Sequence, residues 1–107
     1  MTGISTHVLD AALGRPAEGV PVRLTAPDGA VREGVTDADG RIADLLTAPP
    51  GPGVHRLTFD TAAYFAATGQ TGFHPEVTVA FEVADGRQHV HVPLLLSPYS
   101  YTTYRGS

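Results

Sequence analysis

Residues 89–107, HVHVPLLLSPYSYTTYRGS, read as a strand, a tight turn at Ser97–Ser100 and a second strand that runs on to Ser107. Side chains of a strand alternate between its two faces. Val90, Val92, Leu94 and Leu96 therefore form one apolar face, and His89, His91, Pro93 and Leu95 form the other. The first face belongs to a core. The second carries two imidazoles, and Thr102, Tyr104, Arg105 and Ser107 of the closing segment add polar groups beside it. A functional site is expected there.

The same two-residue period recurs through the rest of the chain. Ile4–Asp10 sets Ile4, Thr6 and Val8 against Ser5, His7 and Leu9, and Val20–Thr25, Val31–Thr36 and Arg41–Leu45 continue the series. Val54–Phe59 sets Val54, Arg56 and Thr58 against His55, Leu57 and Phe59. Glu76–Ala84 places Val77, Val79, Phe81 and Val83 inward. Glycine, proline and aspartate punctuate these runs: a loop marked by Gly14, Pro16 and Gly19, turns at Pro27-Asp28-Gly29, Asp37–Gly40 and Asp85-Gly86, and a loop over Pro49–Gly53. Thr61–Ala67, opened by Asp60 as N-cap and closed by Gly69, is the one helix-like run. About eight short strands and one short helix predict an all-β sandwich, and 107 residues without a repeat or linker predict a single domain over 1–107.

Composition removes several chemistries. The chain has no cysteine and all seven of its basic residues are arginine, so disulfides, thiolate nucleophiles and lysine Schiff bases are excluded. A net charge of −4 argues against nucleic acid and anionic membranes as partners. No apolar run approaches the ~18 residues of a membrane span and no secretory signal pattern heads the sequence, so a cytoplasmic location is expected.

Single motifs say little. His89 and His91 lie two apart on one face and in principle chelate a divalent ion, but a water-facing polar strand accounts for them equally well. Asp37-Ala38-Asp39-Gly40 has the look of part of a calcium loop, yet with Gly40 at the invariant glycine the first and last ligand positions fall on Val35 and Leu46. It is a turn. No metal site and no cofactor is expected. His7, Arg41 and Tyr104, taken one at a time, read as a solvated strand histidine, a surface arginine and edge-strand packing. His55 and His74 offer less.

Longer stretches carry more. THVLDAALGRPA at 6–17, TDADGR at 36–41 and the terminal nineteen residues resemble the transthyretin-related 5-hydroxyisourate hydrolases. The likeness spans essentially the whole chain, and its most specific element is the tetrapeptide Tyr104-Arg105-Gly106-Ser107, which marks the enzymes of this family and is missing from transthyretin, the hormone carrier of the same fold. Asp37 stands where asparagine is common in the family.

The resemblance implies a transthyretin-like sandwich assembled as a homotetramer, a dimer of dimers, with sites in a channel at the dimer–dimer interface. It implies His7, Arg41 and His91 as catalytic residues, and Tyr104, Arg105, Gly106 and Ser107 as the substrate-binding segment; His89 is left as a bystander. The implied substrate is the planar bicycle 5-hydroxyisourate, an intermediate of urate degradation, whose six-membered ring opens when water adds across the N1–C6 lactam bond. Direct water attack suits a chain without cysteine or lysine: an imidazole supplies a base near neutral pH and Arg41 a donor for the developing oxyanion. Whether His7 or His91 is the base stays open at this stage. So does a non-catalytic, transthyretin-like binder of a small aromatic ligand, against which a channel lined by two histidines, an arginine and a tyrosine argues.

Overall fold

A computed structural model describes residues 3–84 and 88–106. In chain order they form β1 (Gly3–Asp10), β2 (Arg15–Pro16), β3 (Pro21–Thr25), β4 (Val31–Val35), β5 (Arg41–Leu46), β6 (Gly53–Phe59), α1 (Thr61–Ala67), β7 (Val77–Val83), β8 (His89–Leu96) and β9 (Tyr101–Thr103). Two sheets result. In one, β1 is central, with β8 parallel along one edge and β5 and β2 antiparallel along the other, while β9 extends the sheet beyond β8. The second sheet runs β4-β3-β6-β7, all antiparallel.

The period-2 patterns decide which faces meet. Ile4, Val8, Ile42, Leu45, Val92, Leu94 and Leu96 of the first sheet pack against Val22, Leu24, Leu57, Phe59 and Val77 of the second. Phe81, Val79 and Val90 are only partly covered, at the margin of the core. Burying a Leu, Ile, Val or Phe side chain stabilises the fold by about 1.5–3 kcal/mol, which locks the register: a one-residue slip of β1 or β8 would turn its apolar face outward. Helix α1 begins where Asp60 accepts a hydrogen bond from Ala63 N at 3.1 Å, and it buries Tyr64 and Phe65. It is tied to β1 through Asp10, which accepts from Tyr64 Oη at 2.6 Å, Gln70 Nε2 at 3.0 Å and Leu13 N at 2.8 Å. No helix among the described residues is long and apolar enough to cross a membrane.

Three details differ from the sequence reading. Arg15–Pro16, expected in a loop, folds back on β1 with Leu9 opposite Pro16 and Asp10 opposite Arg15, because the Asp10 carbonyl accepts Gly14 N and closes a tight turn. The third strand stops at Val35; the Thr36 hydroxyl instead bridges Ala17 O and Val20 N. The final strand stops at Thr103, before the tetrapeptide, rather than running on through it to Ser107. Its pairing with β8 (Leu96↔Tyr101, Leu95↔Thr102, Leu94↔Thr103) resumes in the same register at the isolated bridge His91↔Gly106. The gap falls opposite Pro93, which has no N–H to give the ladder, and the Pro93 carbonyl accepts from Thr103 Oγ1 at 2.8 Å. The Asp85-Gly86 turn and Ser107 lie outside the described residues.

Candidate active site

The outward face of the first sheet gathers the chemistry. Register sets Ser5 beside His91 and His7 beside Pro93 across the parallel β1–β8 pair, and His7 directly opposite Arg41 across the antiparallel β1–β5 pair. Residues from the first strand, the middle of the chain and the penultimate strand thus meet on one surface. Arg41 arrives there by local turn chemistry. Asp37 Oδ1 accepts both Asp39 N and Arg41 N at 2.9 Å, and Gly40 N donates to Asp37 O. Gly40 adopts φ +74°, and its carbonyl accepts Val8 N at 2.7 Å; a Cβ there would press on the Val8 carbonyl oxygen at 2.3 Å. An asparagine at position 37 would accept the same two hydrogen bonds, so the carboxylate is not what the turn requires.

His91 is the most constrained of the three. Its Nδ1 lies 2.7 Å from Ser5 Oγ, and the same hydroxyl lies 2.7 Å from His89 Nε2. Partial burial pushes the His91 pKa below the ordinary imidazole value, and charge interactions with Arg41, His7 and His89 push it further the same way. The ring is accordingly neutral near pH 7 and available as a base. Gly106 closes over it from the other side: Gly106 N donates to His91 O at 2.8 Å, and a Cβ at Gly106 would stand 2.5 Å from His91 Cδ2. The glycine of the terminal tetrapeptide is there because the imidazole lies against its backbone.

The other tetrapeptide residues are placed differently. Tyr104 is largely exposed, and the Arg105 guanidinium donates to Gln88 Oε1 at 2.9 Å. Both border a cavity of about 400 Å³ lined also by Val79, Phe81, Val90 and Val92. That cavity opens on the inward face of β8, and none of His7, Arg41 or His91 lines it, so its size does not make it the site. On the histidine face the single chain presents open surface. Ser107 lies outside the described residues.

Ser5 escaped the sequence reading. Its alternation with His7 placed it on the right face, but only the parallel β1–β8 register puts it beside His91. His89, set aside as a bystander, belongs to the same hydrogen-bonded group. Its Nε2 and the His91 Nδ1 converge on the Ser5 hydroxyl.

Residues 4–106 match the HIUase/Transthyretin family. The chain belongs to this family. It is 46% identical to the 5-hydroxyisourate hydrolase of Mus musculus over 111 residues, spanning 97% of this chain and 94% of that protein. The solved 5-hydroxyisourate hydrolase of Klebsiella pneumoniae superposes with a TM-score of 0.88 at 40% identity, covering 100% of this chain and 94% of that one. The family's other branch is equally close in shape. Sea bream transthyretin in complex with thyroxine superposes with a TM-score of 0.85 at 39% identity, covering 96% of this chain and 93% of that one. Fold therefore does not separate hydrolase from carrier, and the outward face must do so.

Proposed function

We propose that this chain hydrolyses 5-hydroxyisourate by direct attack of water on the ring lactam. The observation that carries the reading is the meeting of a hydroxyl-tethered His91 with the His7–Arg41 pair on one face of the sheet. In this reading His91 takes the proton of the attacking water. His7 orients the water, and Arg41 binds the substrate and stabilises the oxyanion that develops on the lactam carbonyl as carbon–oxygen bond formation proceeds. Collapse breaks the carbon–nitrogen bond, the ring nitrogen takes a proton, and the carboxylate product leaves. Gly106, which lies against His91, and the chain end at Ser107 close the substrate site, while Tyr104 and Arg105 border the separate cavity on the inward face. Neither a metal nor a cofactor enters these steps.

A planar substrate on an open sheet face needs a cover. Half-buried Leu9 and Leu95, beside the polar groups of that face, give a second copy of the chain something apolar to pack on. The proposal includes a homotetramer, a dimer of dimers, with sites between the dimers, acting in the cytoplasm. Sedimentation analysis is expected to find a tetramer; a fully active monomer would remove the shared-site arrangement.

The deciding experiment generates 5-hydroxyisourate fresh from urate and follows its ultraviolet decay with and without the protein. Decay faster than the spontaneous rate and proportional to protein concentration is the expected result. An unchanged rate, with a small aromatic ligand bound on the same face, would instead make the chain a transthyretin-like carrier.

A further inference from the structure

Ser5 stands between two imidazoles with one proton to give. Its hydroxyl is buried and its hydrogen-bond partners are His89 Nε2 and His91 Nδ1, each at 2.7 Å. A serine hydroxyl donates once and accepts through two lone pairs. A buried donor left unmade costs about 1–3 kcal/mol, so the Ser5 proton goes to one ring nitrogen, and the other ring donates its own N–H to Ser5 Oγ. The protonation patterns of His89 and His91 are thereby coupled through a single atom.

We propose, resting on the hydrolase reading above, that Ser5 and His89 are positioning residues for His91, with the hydrogen bonds running from His91 Nδ1–H to Ser5 Oγ and from Ser5 Oγ–H to His89 Nε2. This direction leaves a lone pair on His91 Nε2. When that lone pair takes a proton from the attacking water, the Nδ1 proton passes to Ser5 Oγ and the Ser5 proton passes to His89 Nε2. His91 is then neutral with its proton on Nε2, the hydroxyl is restored, and the positive charge rests on His89. When the lactam carbon–nitrogen bond breaks, His91 Nε2 delivers its proton to the leaving nitrogen. The relay runs backward in the same step, His89 Nε2–H returning its proton to Ser5 Oγ and Ser5 Oγ–H to His91 Nδ1, so that no imidazolate forms; the second proton of the water stays on the new carboxylic acid and passes to solvent as the carboxylate forms.

The sheet register gives the relay its direction. Along β8, Pro93 pairs with His7, which in turn faces Arg41, whereas His89 lies two residues the other way from His91. Charge handed from His91 to His89 crosses two hydrogen bonds of 2.7 Å each and moves two residues along the strand, away from the position that faces the arginine. An imidazolium held at His91 would sit near the Arg41 guanidinium and His7; on His89 the charge lies two residues farther along β8 from that pair.

The ring tautomers are read directly from long-range proton–nitrogen NMR spectra of the ¹⁵N-labelled, ligand-free protein, recorded as pH is raised until the ring signals stop shifting. The expected result is the Nδ1–H form of His91 in the wild type and its loss in Ser5→Ala. An Nε2–H His91 in the wild type would overturn the proposal, whatever the enzyme assay shows. In turnover, Ser5→Ala and His89→Leu are each expected to lower kcat roughly 10- to 100-fold with KM little changed, and the double variant to fall no further than the worse single one, as for residues acting through one group. Ser5→Thr keeps the hydroxyl and restores kcat; its isostere Ser5→Val does not, and this pair decides the matter if Ser5→Ala folds poorly. Wild-type kcat in Ser5→Val would sink the relay while leaving the hydrolase reading intact. A wild-type protein without activity would sink the hydrolase reading, while the spectra still decide the hydrogen-bond direction.

Discussion

His55 and His91 lie on opposite sheets and show two fates of a covered imidazole. His55, on β6, is 1% exposed, stacks on Phe81 with ring centroids 5.7 Å apart, and has only a long 3.3 Å contact from Nδ1 to Gly53 O. His91, on β8, is less covered, yet it is fixed by Ser5, backed by Gly106 and surrounded by Arg41, His7 and His89. The first ring fills space between sheets. The second is held neutral and oriented. The deeper ring is the packing one, so depth of burial does not by itself confer a role; the company each ring keeps does.

Replacing each ring is the strongest way to break that contrast. His91→Ala, like His7→Ala, is expected to lower turnover roughly 100- to 10,000-fold with the thermal midpoint little moved. His55→Ala is expected to do the reverse, costing about 2–4 kcal/mol in denaturant unfolding through the cavity it leaves while folded molecules keep their kcat. A His55 variant as inactive as the His91 variant would collapse the distinction. Arg41→Lys keeps the charge but not the planar fork, and a loss of roughly 10- to 100-fold in kcat/KM is expected from steady-state assays. Gly106→Ala tests the backing of His91: pushing its ring aside is expected to lower kcat about tenfold, the effect of displacing a catalytic group by a fraction of an ångström, with the His91 ring signals shifted in NMR spectra.

Asp10 sharpens the comparison from the side of stability and has the smallest effect. Burial pushes its pKa up, but hydrogen bonds from Tyr64, Leu13 N, Gln70 and Ala12 N outweigh this and hold it below the ordinary 3.8. A depressed carboxylate stabilises the fold at pH values above its unfolded pKa, and that contribution is lost as pH falls through the folded pKa. Thermal melts of the wild type are expected to weaken on acidification below about pH 4 more steeply than those of Asp10→Asn, whose curve starts lower and stays flatter.

How much of this was legible beforehand depended on whether a property is local. The alternation in Ile4–Asp10, Glu76–Ala84 and His89–Leu96 assigned inward and outward faces correctly, since the period of a strand depends on nothing beyond itself. Asp60 announced α1 for the same reason. Pairing partners are another matter. Nothing in the period of β1 says that β8 lies beside it in parallel, so the alternation gave Ser5 a face but no partner, and His89 was set aside. The break opposite Pro93 was readable only once β9 was known to pair with that strand. His7, Arg41 and His91 came from family resemblance; their meeting on one face follows from register alone.

The parallel pairing of β1 with β8 also has a kinetic side. Ser5 and His91 are 86 positions apart in the sequence, so the catalytic face closes the longest loops in the fold, and such contacts carry an entropy cost before they return any stability. β3–β4 and β6–β7, built from nearer segments, can form without it. A refolding chain should therefore regain its β-sheet signal before it regains turnover, and a partly folded population would be silent in an assay even where most of its backbone is already in place.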